Sequence, residues 1–371
     1  MKTLFITYHY LAGHGGGVFA SRAYINAFAE LSEEITLLCP IKDNHAPEGL
    51  NHKVHIVPVK DDRKRVRKGF DLLTGRSNRF VPYARLADNQ RFDTVVFDTS
   101  MVTHGLIRHF KEQGIKVITI HHNYQFEYYQ DNSSILTRLP TLFWSRRTER
   151  EAVRESDLNL TLTEADKVSL TRHYGTGKER LEVIGTFEYN RRKHPLYSPV
   201  NEQNFLITGN LSDAQTENSL LPWIKDYYPI LKEIFPLASL TIAGKSPSTL
   251  LLNAARSSGI TVIPSPESMD PILAKAKFFI CPTALGGGLK LRVMDGLSHG
   301  LPVICHSVSA RGYEAFIKAG MVLVYSDPDS FHQELRKLKS HDYDRNAVIS
   351  LYESIFSFDS GKQRLSRILD C

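Results

Sequence analysis

The chain has 371 residues, 42% of them hydrophobic, and a net charge of +6 from 46 Lys and Arg against 40 Asp and Glu. That length suits two domains with separate cores, and the composition excludes a disordered chain. No run of eighteen apolar residues occurs, so no membrane-spanning helix is expected, and Cys39, Cys281, Cys305 and Cys371 lack the spacing of a disulfide framework or a zinc site.

Short apolar strands alternate with helical patterns along the chain, which predicts doubly wound parallel sheets. A strand over residues 3–8 follows Met1 with no signal-peptide h-region, so a cytoplasmic protein is expected. It leads into the turn G-H-G-G-G-V (13–18) and a helix over 20–31. Strands at 35–39 and 54–59 precede a basic segment. Then come a strand at 94–98, a helix over 103–113 and a strand at 116–120. Residues 149–154 read as helix, 158–162 as strand, 165–173 as helix and 181–184 as strand. The polar stretch N-R-R-K-H-P-L-Y-S-P-V-N (190–201) has two prolines and reads as a linker. A second series follows, with strands at 204–208, 239–243, 261–263, 277–281, 303–305 and 321–325. Its helices are expected at 220–234, 250–257, 271–274 and 292–298. The domains expected are 1–190, a linker over 191–203, 204–340, and a helical segment over 341–371 that crosses back to the first.

The most informative stretch is L-G-G-G-L-K-L-R-V-M-D-G-L-S-H-G-L-P-V-I (285–304). Gly286, Gly287 and Gly288 follow an apolar strand, and backbone N–H groups without side chains can close on anionic oxygens. A helix beginning near Leu289 would add its unpaired N–H groups. Lys290 would reach the same anion, and Asp295 would accept from ribose hydroxyls. A diphosphate ligand is therefore expected. The earlier turn at 13–18 sits where open α/β sheets bind ligands, yet Val18 occupies the last glycine position of a dinucleotide fingerprint, which argues against a dehydrogenase.

Charge is unevenly placed. Residues 1–200 hold 29 basic and 23 acidic side chains, whereas residues 201–371 hold 17 of each. Seven basic residues, among them Arg63, Lys64, Arg65, Arg67 and Lys68, lie between Arg63 and Arg79 with Phe70, Leu72 and Leu73 interleaved. A second patch, L-F-W-S-R-R (142–147), again mixes aromatics with arginines. Such mixtures suit an anionic lipid surface. Neither an RNP-like strand pattern nor a DNA-reading motif occurs, so nucleic acid is not expected.

The 285–304 stretch resembles the C-terminal signature of GT-B glycosyltransferases of the family 4 type: a Gly-rich turn, a helix with a ribose-binding acid, then G-x-P-V. Here that acid is Asp295 rather than Glu, and Gly287 stands where a second Glu is common. The resemblance implies two Rossmann-like domains with an interdomain cleft. It implies transfer of a sugar, with retention, from a UDP- or GDP-sugar to a glycan or lipid-linked glycan, at the inner face of the membrane, in surface polysaccharide or glycoconjugate synthesis. It also places Gly16 and Gly17 beside the donor phosphate and His121, with His122 as second candidate, against the donor sugar. Glu127 falls on the acceptor side. L-I-T-G-N-L (206–211) matches the strand and turn that open the second half. Asn210 there follows Gly209 where a basic residue is usual, leaving Lys290, helix-start amides or Lys245 to meet the phosphates. No D-x-D-like motif stands out, so neither a metal nor another cofactor is expected beyond the nucleoside diphosphate sugar substrate. A sugar-nucleotide 2-epimerase of the same architecture and a non-catalytic partner subunit are the alternatives.

Overall fold

The computed structural model describes residues 1–13, 15–41, 47–60, 80–84, 91–132, 138–191, 203–285 and 289–370. The chain divides into two compact units, Met1–Arg192 with Phe356–Cys371, and Lys193–Ile355.

In the first unit seven parallel strands, β1 (Lys2–Thr7), β2 (Glu34–Pro40), β3 (Val54–Val59), β4 (Thr94–Asp98), β5 (Lys116–His121), β6 (Leu158–Thr161) and β7 (Leu181–Val183), are ordered β3-β2-β1-β4-β5-β6-β7. Their runs are continuously apolar because both faces are covered. Alternate residues feed two cores. Phe5, Leu37, Val96 and Ile118 point to one side, packed by Tyr24 and Phe28 of the Gly16–Leu31 helix. Leu4, Leu38, Val95 and Val117 point to the other, with Phe110. The winding reverses between β1 and β4, and that switch point is where such sheets take ligands.

The last helix, Phe358–Asp370, packs in this unit against Gly16–Leu31. Gly361 permits it: a Cβ there would lie 2.0 Å from the Phe187 ring. Phe358 and Leu365 are buried, and Arg364 Nε donates to the Ile184 carbonyl at 2.5 Å. Arg191 bridges Glu30 (2.8 Å) and Asp359 (2.7 Å), an exposed network that adds little beside the apolar burial. The return to this unit begins at Phe356, since the preceding Arg345–Phe356 helix lies almost wholly in the second unit.

In the second unit β8 (Asn204–Asn210), β9 (Ser239–Lys245), β10 (Thr261–Pro264), β11 (Phe278–Cys281), β12 (Val303–His306) and β13 (Val322–Tyr325) form a parallel sheet ordered β10-β9-β8-β11-β12-β13. Its reversal falls between β8 and β11. Phe205 stacks on Phe278 at 4.8 Å, and Trp223, Tyr325 and Phe331 fill the covered face. The helix expected over 220–234 is two, Ala214–Asp226 and Tyr228–Ile234. Pro229 sits in the first turn of the second, where its missing N–H costs nothing. The helix expected over 149–154 begins much earlier, as Arg138–Glu155, again with a proline, Pro140, in its first turn. Among the described residues no helix is long and apolar enough to cross a membrane.

Candidate active site

At the switch point of the first unit, β4 ends on Asp98, a carboxylate with no solvent exposure. Three donors converge on it: Thr7 Oγ1 at 2.7 Å, Ser21 Oγ at 2.5 Å and His122 Nε2 at 2.5 Å. Burial alone would raise the Asp98 pKa, but the charge and hydrogen bond of His122, then His9 and Ser21, outweigh it and hold the carboxyl at about 2. His9 packs 5.5 Å from the His122 ring, and burial lowers its pKa to about 4 against the pull of Asp98. Gly17 makes room for it, because a Cβ there would lie 2.6 Å from His9 Cε1. Gly16 is the exposed first residue of the Gly16–Leu31 helix.

His9, Asp98 and His122 are residue types that ligate metals, and their ligand atoms lie within 4.8 Å of one another. As arranged, the 2.5 Å contact between His122 and Asp98 is a shared hydrogen bond. Two ligands of one tetrahedral zinc would stand roughly 3.4 Å apart. The pair is thus built as a carboxylate orienting an imidazole, the arrangement that prepares a general base.

His121 and His122 are adjacent but differ in surroundings. His121, the last residue of β5, is 1% exposed, and its Nε2 donates to Asn159 Oδ1 at 2.9 Å. Burial lowers its pKa to about 4 despite that bond, so it is a neutral core imidazole at pH 7. His122 lies just past the strand with its ring partly exposed. Glu127 is exposed in the helix Gln125–Asn132.

That helix starts on two buried carboxylates. Tyr124 N donates to Asp166 Oδ1 at 2.9 Å, Gln125 N donates to Glu149 Oε1 at 2.6 Å, and Tyr174 Oη donates to Glu149 Oε2 at 3.0 Å. Burial pushes the Glu149 pKa up to about 8, against those hydrogen bonds and with help from Asp166. The folded protein therefore holds a proton that the unfolded chain, titrating near 4.5, has already released. Stability from this group is full below about pH 4.5 and is lost as pH rises towards 8. Glu149→Gln is expected to remove that slope, worth on the order of a few kcal/mol. Melting temperatures of both proteins from pH 5 to 9 check this, and parallel curves would refute it.

At the second unit's switch point the cations come from beyond β11. Lys290, in the segment between β11 and the helix Arg292–Ser298, is half-buried. Burial, reinforced by Arg292 and Arg311, pulls its ammonium pKa below the usual range against Cys281 and Asp213. Tyr313 Oη donates to the Lys290 carbonyl at 2.8 Å and fixes this turn. Arg292 reaches back across β8: its Nη2 donates to Thr216 Oγ1 at 2.5 Å and Nη1 to Thr283 Oγ1 at 3.3 Å. The guanidinium lies over Gly209, where a Cβ would be 2.6 Å from Cζ. A cation thus sits at the turn whose own residue is Asn210, exposed and accepting from Ser212 Oγ at 2.8 Å.

The helix begins at Arg292 rather than near Leu289, because Val293 N and Met294 N are spent on the carbonyls of Lys290 and Leu291. Gly296 lets it press onto β11, where a Cβ would be 2.7 Å from the Phe279 ring, and Gly300 (φ 71°) ends it in the left-handed conformation. Asp295 is exposed on this helix. Lys245 is exposed at the end of β9, before Ser246, whose positive φ of 50° is uncommon for a serine. Gly286, Gly287 and Gly288 lie outside the described residues, as do Arg63, Lys64, Arg65, Arg67 and Lys68.

Sequence reading did not single out Asp98, His9 or Arg292. The available signal for Asp98 was a charged residue closing a buried strand. For Arg292 it was a second cation two residues after Lys290.

Two Rossmann-like units, with an oriented imidazole at one switch point and converging cations at the other, define a GT-B transferase. Residues 202–341 match the family described as Glycosyl transferases group 1, and residues 14–187 match Glycosyltransferase Family 4. The chain belongs to this family and is a glycosyltransferase. No curated protein sequence matches it. Among solved structures it is similar to sucrose-phosphate synthase from Thermosynechococcus elongatus, with 13% identity, a TM-score of 0.71, and coverage of 100% of this chain and 98% of that one. Anabaena HepE in complex with UDP and glucose is similar at 12% identity and a TM-score of 0.64, over 100% and 99% of the two chains. WaaG, a glycosyltransferase involved in lipopolysaccharide biosynthesis, is similar at 14% identity and a TM-score of 0.62, over 98% and 95%.

Proposed function

We propose that this glycosyltransferase moves a sugar, with retention, from a UDP- or GDP-sugar to a glycan or lipid-linked glycan in surface polysaccharide or glycoconjugate synthesis. The converging cations of the second unit carry this reading. Lys290 and Arg292 at a sheet's switch point match the charge of a diphosphate and would stabilise the negative charge that grows on it as the sugar leaves. Gly286, Gly287, Gly288 and Leu289 would close around the phosphates, and Asp295 would accept from the ribose hydroxyls. UDP and glucose bound to HepE and the lipopolysaccharide role of WaaG support the donor and acceptor classes. His122, oriented by Asp98, would meet the reacting sugar through Nδ1. The basic residues Arg63, Lys64, Arg65, Arg67 and Lys68 would hold the enzyme at the anionic inner leaflet, where a lipid-linked acceptor is found.

Thermal-shift titration with UDP, GDP, ADP and CMP, followed by hydrolysis assays on the matching sugar nucleotides, tests the reading. UDP or GDP should stabilise the fold. Lys290→Ala and Asp295→Ala should each weaken that binding, by about 1.5–3 kcal/mol for the lost charge-assisted contact. Unchanged affinity in both variants would remove the donor from this loop. The 2-epimerase remains the second reading because the Asp98–His122 pair is the kind of base it needs. Turnover of a sugar nucleotide without any acceptor selects it.

A further inference from the structure

The outward face of the Arg138–Glu155 helix has an unusual composition. With 3.6 residues per turn, Leu139, Phe143, Arg146, Arg147, Arg150 and Arg154 fall within one face of about 100°. The opposite face supplies Trp144, Thr148, Ala152 and Val153 to the interior. Leu139 is 79% exposed and Phe143 59% exposed, one turn apart, among the largest exposed apolar side chains of the described residues. The sequence R-L-P-T-L-F-W-S-R-R-T carries no acid. Arg147 and Arg150 are exposed with no carboxylate paired to them among the described residues. Arg146 lays its guanidinium 4.1 Å from the centre of the Phe126 ring, and Arg154 Nε donates to the Tyr174 carbonyl at 2.9 Å. Two arginines are thereby held in place, which lowers the entropy lost on docking.

We propose that this helix face lies on an anionic lipid leaflet, with Leu139 and Phe143 entering the acyl boundary and Arg146, Arg147 and Arg150 meeting lipid phosphates. The assignment rests on the membrane-side acceptor proposed above and gives it a contact surface in addition to the 63–68 segment. Charge selects the occupant. A second copy of the chain would bring the same guanidinium row against this one, which is repulsive. A polyanionic glycan or nucleic acid would use the arginines but leave Leu139 and Phe143 without a purpose. An amphipathic helix lying in the interface uses both.

The test uses the full chain with vesicles of phosphatidylcholine alone or mixed with phosphatidylglycerol. Wild type should sediment with the anionic vesicles at low salt. Leu139→Ser with Phe143→Ser should weaken this at least about tenfold although every charge remains. Arg146→Gln, Arg147→Gln and Arg150→Gln together should weaken it on the order of 100-fold. These positions are exposed, so unchanged melting temperatures are expected. Phe143→Trp should gain fluorescence quenching by brominated acyl chains over the wild-type background from Trp144 and Trp223. If wild type sediments but the helix variants sediment equally and Phe143→Trp shows no added quenching, the helix assignment is overturned and the membrane reading stands. If wild type does not sediment at all, both fall.

Discussion

Asp98→Asn is expected to reduce sugar transfer by about 10²–10⁴-fold, the range for disabling a positioned acid–base group, while nucleoside diphosphate affinity stays within about twofold. The substitution keeps the shape of the side chain. Asparagine oxygen can still accept from His122 Nε2, and its amide can donate to the hydroxyls of Thr7 and Ser21, which now donate to Asp98. What disappears is the buried negative charge that favours a proton on His122. His122→Ala should give a comparable loss. The double variant should be little worse than His122→Ala, because Asp98 acts through that ring. His121→Ala should chiefly lower the melting temperature, since it empties a 1% exposed site and strips Asn159 of its partner. Steady-state kinetics with the donor identified by thermal shift decide this. If His121→Ala abolished transfer in a fully folded protein while Asp98→Asn did not, the imidazole facing the sugar would be His121.

The strands and the family were legible because parallel sheets covered on both faces need short, continuously apolar runs, and these stand out from the polar helices between them. Thirteen strands lie where the apolar runs predicted them. Helix boundaries were less legible. The Gln125–Asn132 helix is polar, and what fixes its start is a pair of carboxylates, Glu149 and Asp166, that arrive from residues more than twenty positions away. The choice between His121 and His122 was beyond sequence for a related reason. Two histidines end the same strand, and the pairing of His121 with Thr161 on β6, beside Asn159, decides which is enclosed. Asp98 reads as the polar end of β4 until the order β1-β4-β5 brings Thr7, Ser21 and His122 around it. At the other switch point the sequence registered the missing cation at Asn210 but not its replacement. Arg292 and Gly209 are 83 positions apart, and only the adjacency of β8 and β11 makes them neighbours.

Arg292→Ala should therefore weaken UDP or GDP binding on the order of 10–150-fold, the effect of losing one charge-assisted contact to a phosphate. The guanidinium is already held by Thr216 and Thr283, so little ordering entropy opposes its contact with a ligand. Arg292→Lys should recover part of the affinity through charge, but not the forked geometry. Gly209→Ala makes the sharper test, because its methyl would fall 2.6 Å from Cζ and displace the guanidinium without removing it. Nucleotide affinity in Gly209→Ala should drop towards that of Arg292→Ala, and combining the two should add little. Calorimetric titration of the four proteins gives the comparison, with melting temperatures in the absence of nucleotide separating a binding defect from a folding one. Full affinity in Arg292→Ala would assign the diphosphate to Lys290 and the glycine turn alone, and would leave Arg292 as a brace between Thr216 and Thr283.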